Sequence, residues 1–473
     1  MFFDVQNRKN LPGRYPVEAK IRAVAHASLC KPVFAEFWKN FSYGLSEIEL
    51  LPTDSLTFCI GNAALLPLDG ESYRVHITES GVSLAADSEK SLFCGFMTLI
   101  DRLCMERENG ESRLFFGACT YGETAIIARR MAHFCIFPET ELWELHRFVR
   151  LCAFLRYTHL VVEFWGMFRY ECLDALSWEH AFCADELRAI FAEAQDLGLE
   201  LVPMFNHLGH ASSSRVMHGK HVVLDRSPQY AYLFDETGWV WNIGLPAVTD
   251  LQKQMRQELT KLCGSGSLFH IGCDEIYGFD YSQTSMEAVC THINAAAQTL
   301  AENGRQTILW ADMFLPRTLK NKTGNVYTAA CPSEEASSFM LSKLDKNVLL
   351  ADWQYDACRF PVETSLYLKE KGFSVLLCPW DRGLNRTNAC LETVKAHGLD
   401  GILHTTWHTL SSGMPYVAKT ARGCYLPAGK GDARDENLAL HLTKTAEILR
   451  KVFPCGGDYR KSGWSKKETE DIV

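Results

Sequence analysis

The chain has 473 residues, with 48 Lys and Arg against 57 Asp and Glu, a formal charge of −9. Hydrophobic residues make up 47% and charged residues 22%, which excludes a disordered chain or a coiled coil and suits two or three globular domains. A net negative chain lacks the basic face that phosphate neutralisation needs, so a nucleic-acid partner is excluded. No run of roughly 18 apolar residues occurs, so no membrane partner is expected. The first 16 residues lack the apolar stretch of a secretory signal, and an uncleaved chain starting at Met1 is expected. The 18 cysteines form no Cys-x-x-Cys, and their spacing is irregular. They are expected to be reduced thiols that fill cores in a cytoplasmic protein.

Residues 72–86 alternate apolar and polar around Glu79-Ser80-Gly81, which predicts a β-hairpin. Residues 88–104 have helical periodicity behind Ser88 as N-cap. Strands followed by one amphipathic helix predict a small α+β domain over residues 1–125. From residue 126 short apolar strings alternate with amphipathic stretches. The strings are 126–131, 159–164, 199–205, 268–273, 306–311, 347–352, 374–379 and 401–406. Helices are predicted at 139–156, 184–197, 246–262, 284–303 and 386–397, several closed by glycine, as at Leu197-Gly198 and His397-Gly398. Eight strand–helix units predict an α/β fold, a (β/α)8 TIM barrel over residues 126–473 with a C-terminal helical tail. An open doubly wound sheet is the competitor, but no Gly-x-Gly-x-x-Gly follows a strand.

Barrel enzymes carry their chemistry at the C-terminal strand ends. Here those ends hold Arg129, Arg130 and His133, then Glu163 to Trp165, Asn206 to His210, and Asp274-Glu275. They continue with Trp310 and Asp312, Asp352 to Tyr355, Trp380-Asp381, and Trp407-His408. Five of the 11 tryptophans lie there. Tryptophan faces with a few carboxylates and histidines suit a carbohydrate, whose C–H faces stack on rings while its hydroxyls need polar partners. Packing between barrel and helices is the competing role for any single tryptophan.

The sharpest feature is 268–280, an apolar strand ending in Asp274-Glu275. Side chains alternate along a strand, so both carboxylates reach one bound group only if the strand breaks. Two charges this close should push one proton affinity up, as a general acid requires. A pair that caps the next helix or faces water is the alternative. A metal on His207, His210 and Asp274 lacks a coherent ligand set. Neither a metal nor a cofactor is expected.

His270-Ile271-Gly272-Cys273-Asp274-Glu275 resembles the His-x-Gly-Gly-Asp-Glu signature of glycoside hydrolase family 20, the β-N-acetylhexosaminidases, with Cys273 where glycine is usual. Pro203 to Ala211 is similar to that family's third-strand segment, and Trp310-Ala311-Asp312-Met313 to its fifth. Glu163 to Phe168 leans towards the hexosaminidase D-like branch. The resemblance implies an exo-acting retaining hydrolase that removes terminal β-linked GlcNAc or GalNAc from an oligosaccharide or glycoconjugate by substrate-assisted catalysis. Glu275 would be the acid and base, and Asp274 the acetamido partner. Arg130, Glu163, His210, Trp310, Trp353, Tyr355, Trp380, Asp381 and Trp407 would bind the sugar. The family's acetamido-binding tyrosine after strand 7 is absent, and Tyr355 is the candidate replacement. Cys135 falls near the place of a family aspartate. A different amino-sugar and a non-catalytic sugar-binding protein stay open.

Overall fold

The computed structural model describes residues 2–453 apart from 4, 6, 213–220, 222, 321–323, 325, 408–409 and 428–437. His408 and the stretch beyond 453 lie outside the described residues. Eight strands form the first layer: β1 (Lys9–Val17), β2 (Lys20–His26), β3 (Glu47–Thr53), β4 (Thr57–Gly61), β5 (Tyr73–Thr78), β6 (Gly81–Ala86), β7 (Cys104–Glu108) and β8 (Glu111–Glu123). Their order is β1-β8-β5-β6-β4-β2-β3, with β7 also on β8, and only β2 and β3 run parallel. The predicted hairpin is β5 and β6, with Thr78 opposite Gly81 across Glu79-Ser80. The predicted helix spans Glu89–Ile100, and Ser88 Oγ caps it by accepting from Ser91 N–H at 3.3 Å. A second helix, Pro32–Phe41, buries Phe34, Phe37, Trp38 and Phe41. These recur at the three- and four-residue steps of one helical face.

The second layer is a closed barrel of eight parallel strands: β9 (Arg129–Ile136), β10 (His159–Phe164), β11 (Glu200–Met204), β12 (Leu268–His270), β13 (Gln306–Trp310), β14 (Leu349–Asp352), β15 (Ser374–Leu377) and β16 (Gly401–His404). β16 pairs back onto β9, with Gly401 opposite Arg129. A helix follows each strand: Leu142–Phe154, Ala184–Asp196, Pro246–Cys263, Gln283–Glu302, Glu334–Lys343, Glu363–Glu370, Leu384–His397 and Leu410–Gly423. The fold is therefore a (β/α)8 barrel with an α+β sheet layer. Helix Leu438–Val452 follows the last unit. Alternate strand residues face inward, so Met131, Val161, Val202, Leu268, Ile308, Leu349, Leu376 and Leu403 pack as an apolar plug.

The first barrel strand starts later than its apolar string suggests, and this moves Arg130. The string 126–131 precedes most of β9, whose inward face carries His133 and Cys135 instead of aliphatic residues. The sheet and barrel meet through a buried ion pair at the N-terminal strand ends. Arg156 Nη1 donates to Glu123 Oε2 at 2.6 Å and to Tyr73 OH at 3.2 Å. Both charges are almost wholly buried, so losing either partner strands the other.

Candidate active site

The carboxylate pair sits where β12 breaks. The strand ends at His270, and the next residues leave extended geometry: Gly272, Cys273 and Glu275 have φ of 66°, 75° and 49°. Only Gly272 adopts this region without strain, and a Cβ there would stand 1.9 Å from Asn206 Oδ1. Cys273 and Glu275 hold it as non-glycine residues, a strain of the kind that gathers at functional sites. Gly209 brings the loop after β11 against this break, since a Cβ there would lie 2.3 Å from the Asp274 carbonyl oxygen. The break lets both adjacent carboxylates reach one group. His210 Nε2 lies 3.0 Å from Glu275 Oε2 and 3.3 Å from Asp274 Oδ2.

Each carboxylate has its own anchor. Asn206 Nδ2 donates to Asp274 Oδ1 at 2.7 Å. Glu275 is held by its backbone: its N–H donates to Asp312 Oδ2 at 3.0 Å, and its carbonyl accepts from Trp239 Nε1 at 2.7 Å. The Glu275 side chain stays 30% exposed while Asp274 is 7% exposed, so one carboxylate meets the pocket and the other is held beneath it. A cavity of about 290 Å³ opens against Glu275, lined also by Tyr277, Phe279, Tyr281 and Arg317.

The Asp312 carboxyl beneath this pair has a raised proton affinity. Burial and then the charge of Asp274 push it up to about 8. Trp353 Nε1 donates to its Oδ1 at 3.2 Å. Such a carboxyl binds more protons folded than unfolded, so the stability it contributes is lost as pH rises from about 4 to about 8. Asp312→Asn should flatten the decline in thermal midpoint over that interval; an unchanged slope contradicts this.

Aromatic side chains from the last three strand ends face this cluster. Trp407 Nε1 donates to Tyr355 OH at 2.8 Å, and Thr405 Oγ1 lies 3.0 Å from the same oxygen. Trp353 and Trp380 pack on Tyr355 with ring centroids 5.3 and 5.0 Å away. Burial first, and then the Cys378 thiol and the Asp274 charge, hold the Tyr355 phenol well above the ordinary value, against the hydrogen bonds from Thr405 and Trp407. Trp380 Nε1 is tied to the Thr406 carbonyl at 3.2 Å.

Several sequence-based expectations need correction. Arg130 lies near the N-terminal end of β9, opposite the pocket. Its guanidinium donates to the carbonyls of Arg156, Ile127 and Ala128, and its ring partner is Tyr425. Trp310 is no wall: it is fully buried in the apolar plug, 5.8 Å from Trp407, and forms a floor one layer down. Glu163 is also fully buried, with Oε2 2.9 Å from His133 Nε2 and 3.2 Å from Cys135 Sγ. Asp381, just after β15, stays a candidate sugar contact; its charge, after burial, raises the Tyr416 phenol. His207 points away from His210, its Nε2 meeting Arg256 Nη1 at 3.0 Å. Trp239 and Tyr277 were missed, and Asn206, read at a strand end, was given no role in the site. Trp239 lies in the long loop after β11, away from any strand end, and it stacks on Tyr277 at 5.3 Å.

No family model matches the chain. Among curated proteins, cattle hexosaminidase D is 25% identical over 291 residues, covering 56% of this chain and 74% of that protein. Among solved structures, the chitobiase of Flavobacterium johnsoniae superposes with a TM-score of 0.70 at 14% identity, over 95% of this chain and 72% of that one. A mutant Streptomyces plicatus β-hexosaminidase in complex with its product GlcNAc gives 0.68 at 15%, over 96% and 95%. The β-N-acetylhexosaminidase of Streptomyces coelicolor gives 0.67 at 15%, over 95% of each chain. Likeness at these identities carries the fold, and the sequence match to hexosaminidase D carries the branch. Together they bear out the resemblance of this chain to glycoside hydrolase family 20, on its hexosaminidase D-like side.

Proposed function

We propose that the chain is an exo-acting retaining glycoside hydrolase that removes a terminal β-linked N-acetylhexosamine by substrate-assisted catalysis. The observation that carries this is the break after β12, which lets Asp274 and Glu275 both reach His210, while Asp312 ties the break to Trp353, packed on Tyr355 beside Trp407. The names of its structural neighbours, a chitobiase and a β-N-acetylhexosaminidase, support the same reading.

The chemistry follows from the spacing. An ordinary retaining enzyme sets its acid and nucleophile about 5 Å apart, flanking the bond. Adjacent carboxylates that both reach His210 Nε2 do not flank anything. The substrate's own acetamido oxygen is then the nucleophile. It attacks C1 as the C1–O bond breaks, and Glu275 gives its proton to the leaving oxygen. Asp274 accepts from the acetamido N–H and offsets the positive charge of the oxazolinium ring. Glu275 next takes a proton from water as the water oxygen bonds C1 and reopens the ring, which gives net retention. Tyr355 presents its phenol to the acetamido group from the side opposite Asp274. The leaving group occupies the cavity beside Glu275, with Tyr277 as an exposed face for stacking.

Glu163 and Arg130 are left out of this site because the fold buries them elsewhere. The described cysteines are all free, and no helix among the described residues is long and apolar enough to cross a membrane. The free thiols support a cytoplasmic setting. The test is hydrolysis of aryl β-GlcNAc and β-GalNAc beside the matching glucosaminide without the acetyl group. Turnover of an acetylated substrate and loss of turnover without the acetyl are expected. Faster cleavage of the deacetylated sugar overturns the reading.

A further inference from the structure

We propose that His133, Cys135 and Glu163 form a binding site for one zinc-class divalent ion, contrary to the sequence-based expectation of no metal. His133 and Cys135 are two apart on β9 and face the same way, into the barrel. Glu163 on β10 stands beside Cys135 in the strand register. Three potential ligand atoms of three chemical types thus share one point on two neighbouring strands.

The distances argue for an ion more than for a hydrogen-bonded chain. His133 Nε2 lies 2.9 Å from Glu163 Oε2, and Cys135 Sγ lies 3.2 Å from that oxygen. Those two contacts alone would suit two donors on one carboxylate oxygen. Cys135 Sγ, however, also lies 3.4 Å from His133 Nε2, so the three atoms close a triangle. Donors that share one zinc ion at about 2.0–2.3 Å are separated by these distances within a few tenths of an ångström. All three side chains are buried, inside the barrel and below Trp407, whose ring centroid is 4.8 Å from that of His133.

The charge balances. A dication displaces the Cys135 thiol proton to solvent and meets one thiolate, one carboxylate and a neutral imidazole, so the ion and its three donors together carry no net charge. Three protein ligands match the number in open zinc sites, with a fourth position for water or another group. Such an ion would cross-link the first two barrel strands and brace the floor beneath Trp407. The second group of donor atoms, His210, Asp274 and Glu275, contains no thiol. A spectroscopic probe therefore separates the two.

The experiment is a cobalt titration of the full chain after treatment with a chelator. Wild type is expected to develop a thiolate-to-cobalt charge-transfer band that saturates at one ion per chain and is erased by zinc. Cys135→Ser should lose the band, while His210→Ala should keep it. If Cys135→Ser fails to fold, the isosteric Glu163→Gln is read instead, with cobalt affinity expected to fall about tenfold or more. A wild type with no band overturns the proposal, as does a band that survives Cys135→Ser. Unchanged affinity in Glu163→Gln overturns it too.

Discussion

Glu275→Gln is expected to lower kcat on an aryl β-N-acetylhexosaminide by on the order of 10²–10⁴, the range for removing a positioned acid and base. The loss should depend on the leaving group. A nitrophenolate departs without help, so its first step suffers less than that of an alkyl or sugar glycoside, which leaves only as a protonated oxygen. The side chain makes the variant a clean probe. Glu275 is held by its backbone, through Asp312 and Trp239, so an amide at the side chain leaves both anchors in place. Steady-state rates on a graded series of leaving groups check this. Equal rates for wild type and variant would remove Glu275 from the chemistry.

Asp274→Asn should cost on the order of 10²–10³ in kcat, comparable to losing one preorganised partner of a developing charge. The predicted defect differs in kind. Asn keeps an oxygen able to accept from the acetamido N–H, yet it removes the negative charge that offsets the oxazolinium ring. The ground state is therefore touched less than the transition state, and KM should change far less than kcat. The substitution also alters Asp312. The Asp274 charge is the second cause of that group's raised proton affinity, after burial. Without it Asp312 should titrate lower, so the fall of stability, which still begins near pH 4, should end at lower pH and be smaller. A large rise in KM with unchanged kcat would contradict the role of Asp274 as a charge stabiliser.

The eight-strand barrel was readable because its strands are fully buried apolar strings separated by amphipathic helices of the right length. The phase of β9 was not. Its inward residues His133 and Cys135 interrupt the apolar run, so the string seemed to end early, and Arg130 was read as the strand's end when it lies near its start. The adjacent carboxylates announced the site. The condition attached to them, that the strand must break, is met by the positive φ values at Gly272, Cys273 and Glu275. Tryptophans were legible as a group but not one by one: Trp310 and Trp407 look alike in sequence, yet one is buried plug and the other faces Tyr355. Trp239 carried no local signal, because it lies in a loop far from any strand end, held beside Glu275 by long-range hydrogen bonds such as that from Ala211 N–H to the Trp239 carbonyl.

Substrate assistance is the central claim, and a thiazoline analogue of the bicyclic intermediate tests it most directly. Transition-state and intermediate mimics bind on the order of 10²–10⁸ times more tightly than substrates when the site is built for them. Competitive inhibition by such a thiazoline, with Ki at least about 10²-fold below KM and weakened in Asp274→Asn, is the predicted result. No inhibition of a wild type that still turns over the acetylated substrate would contradict the account.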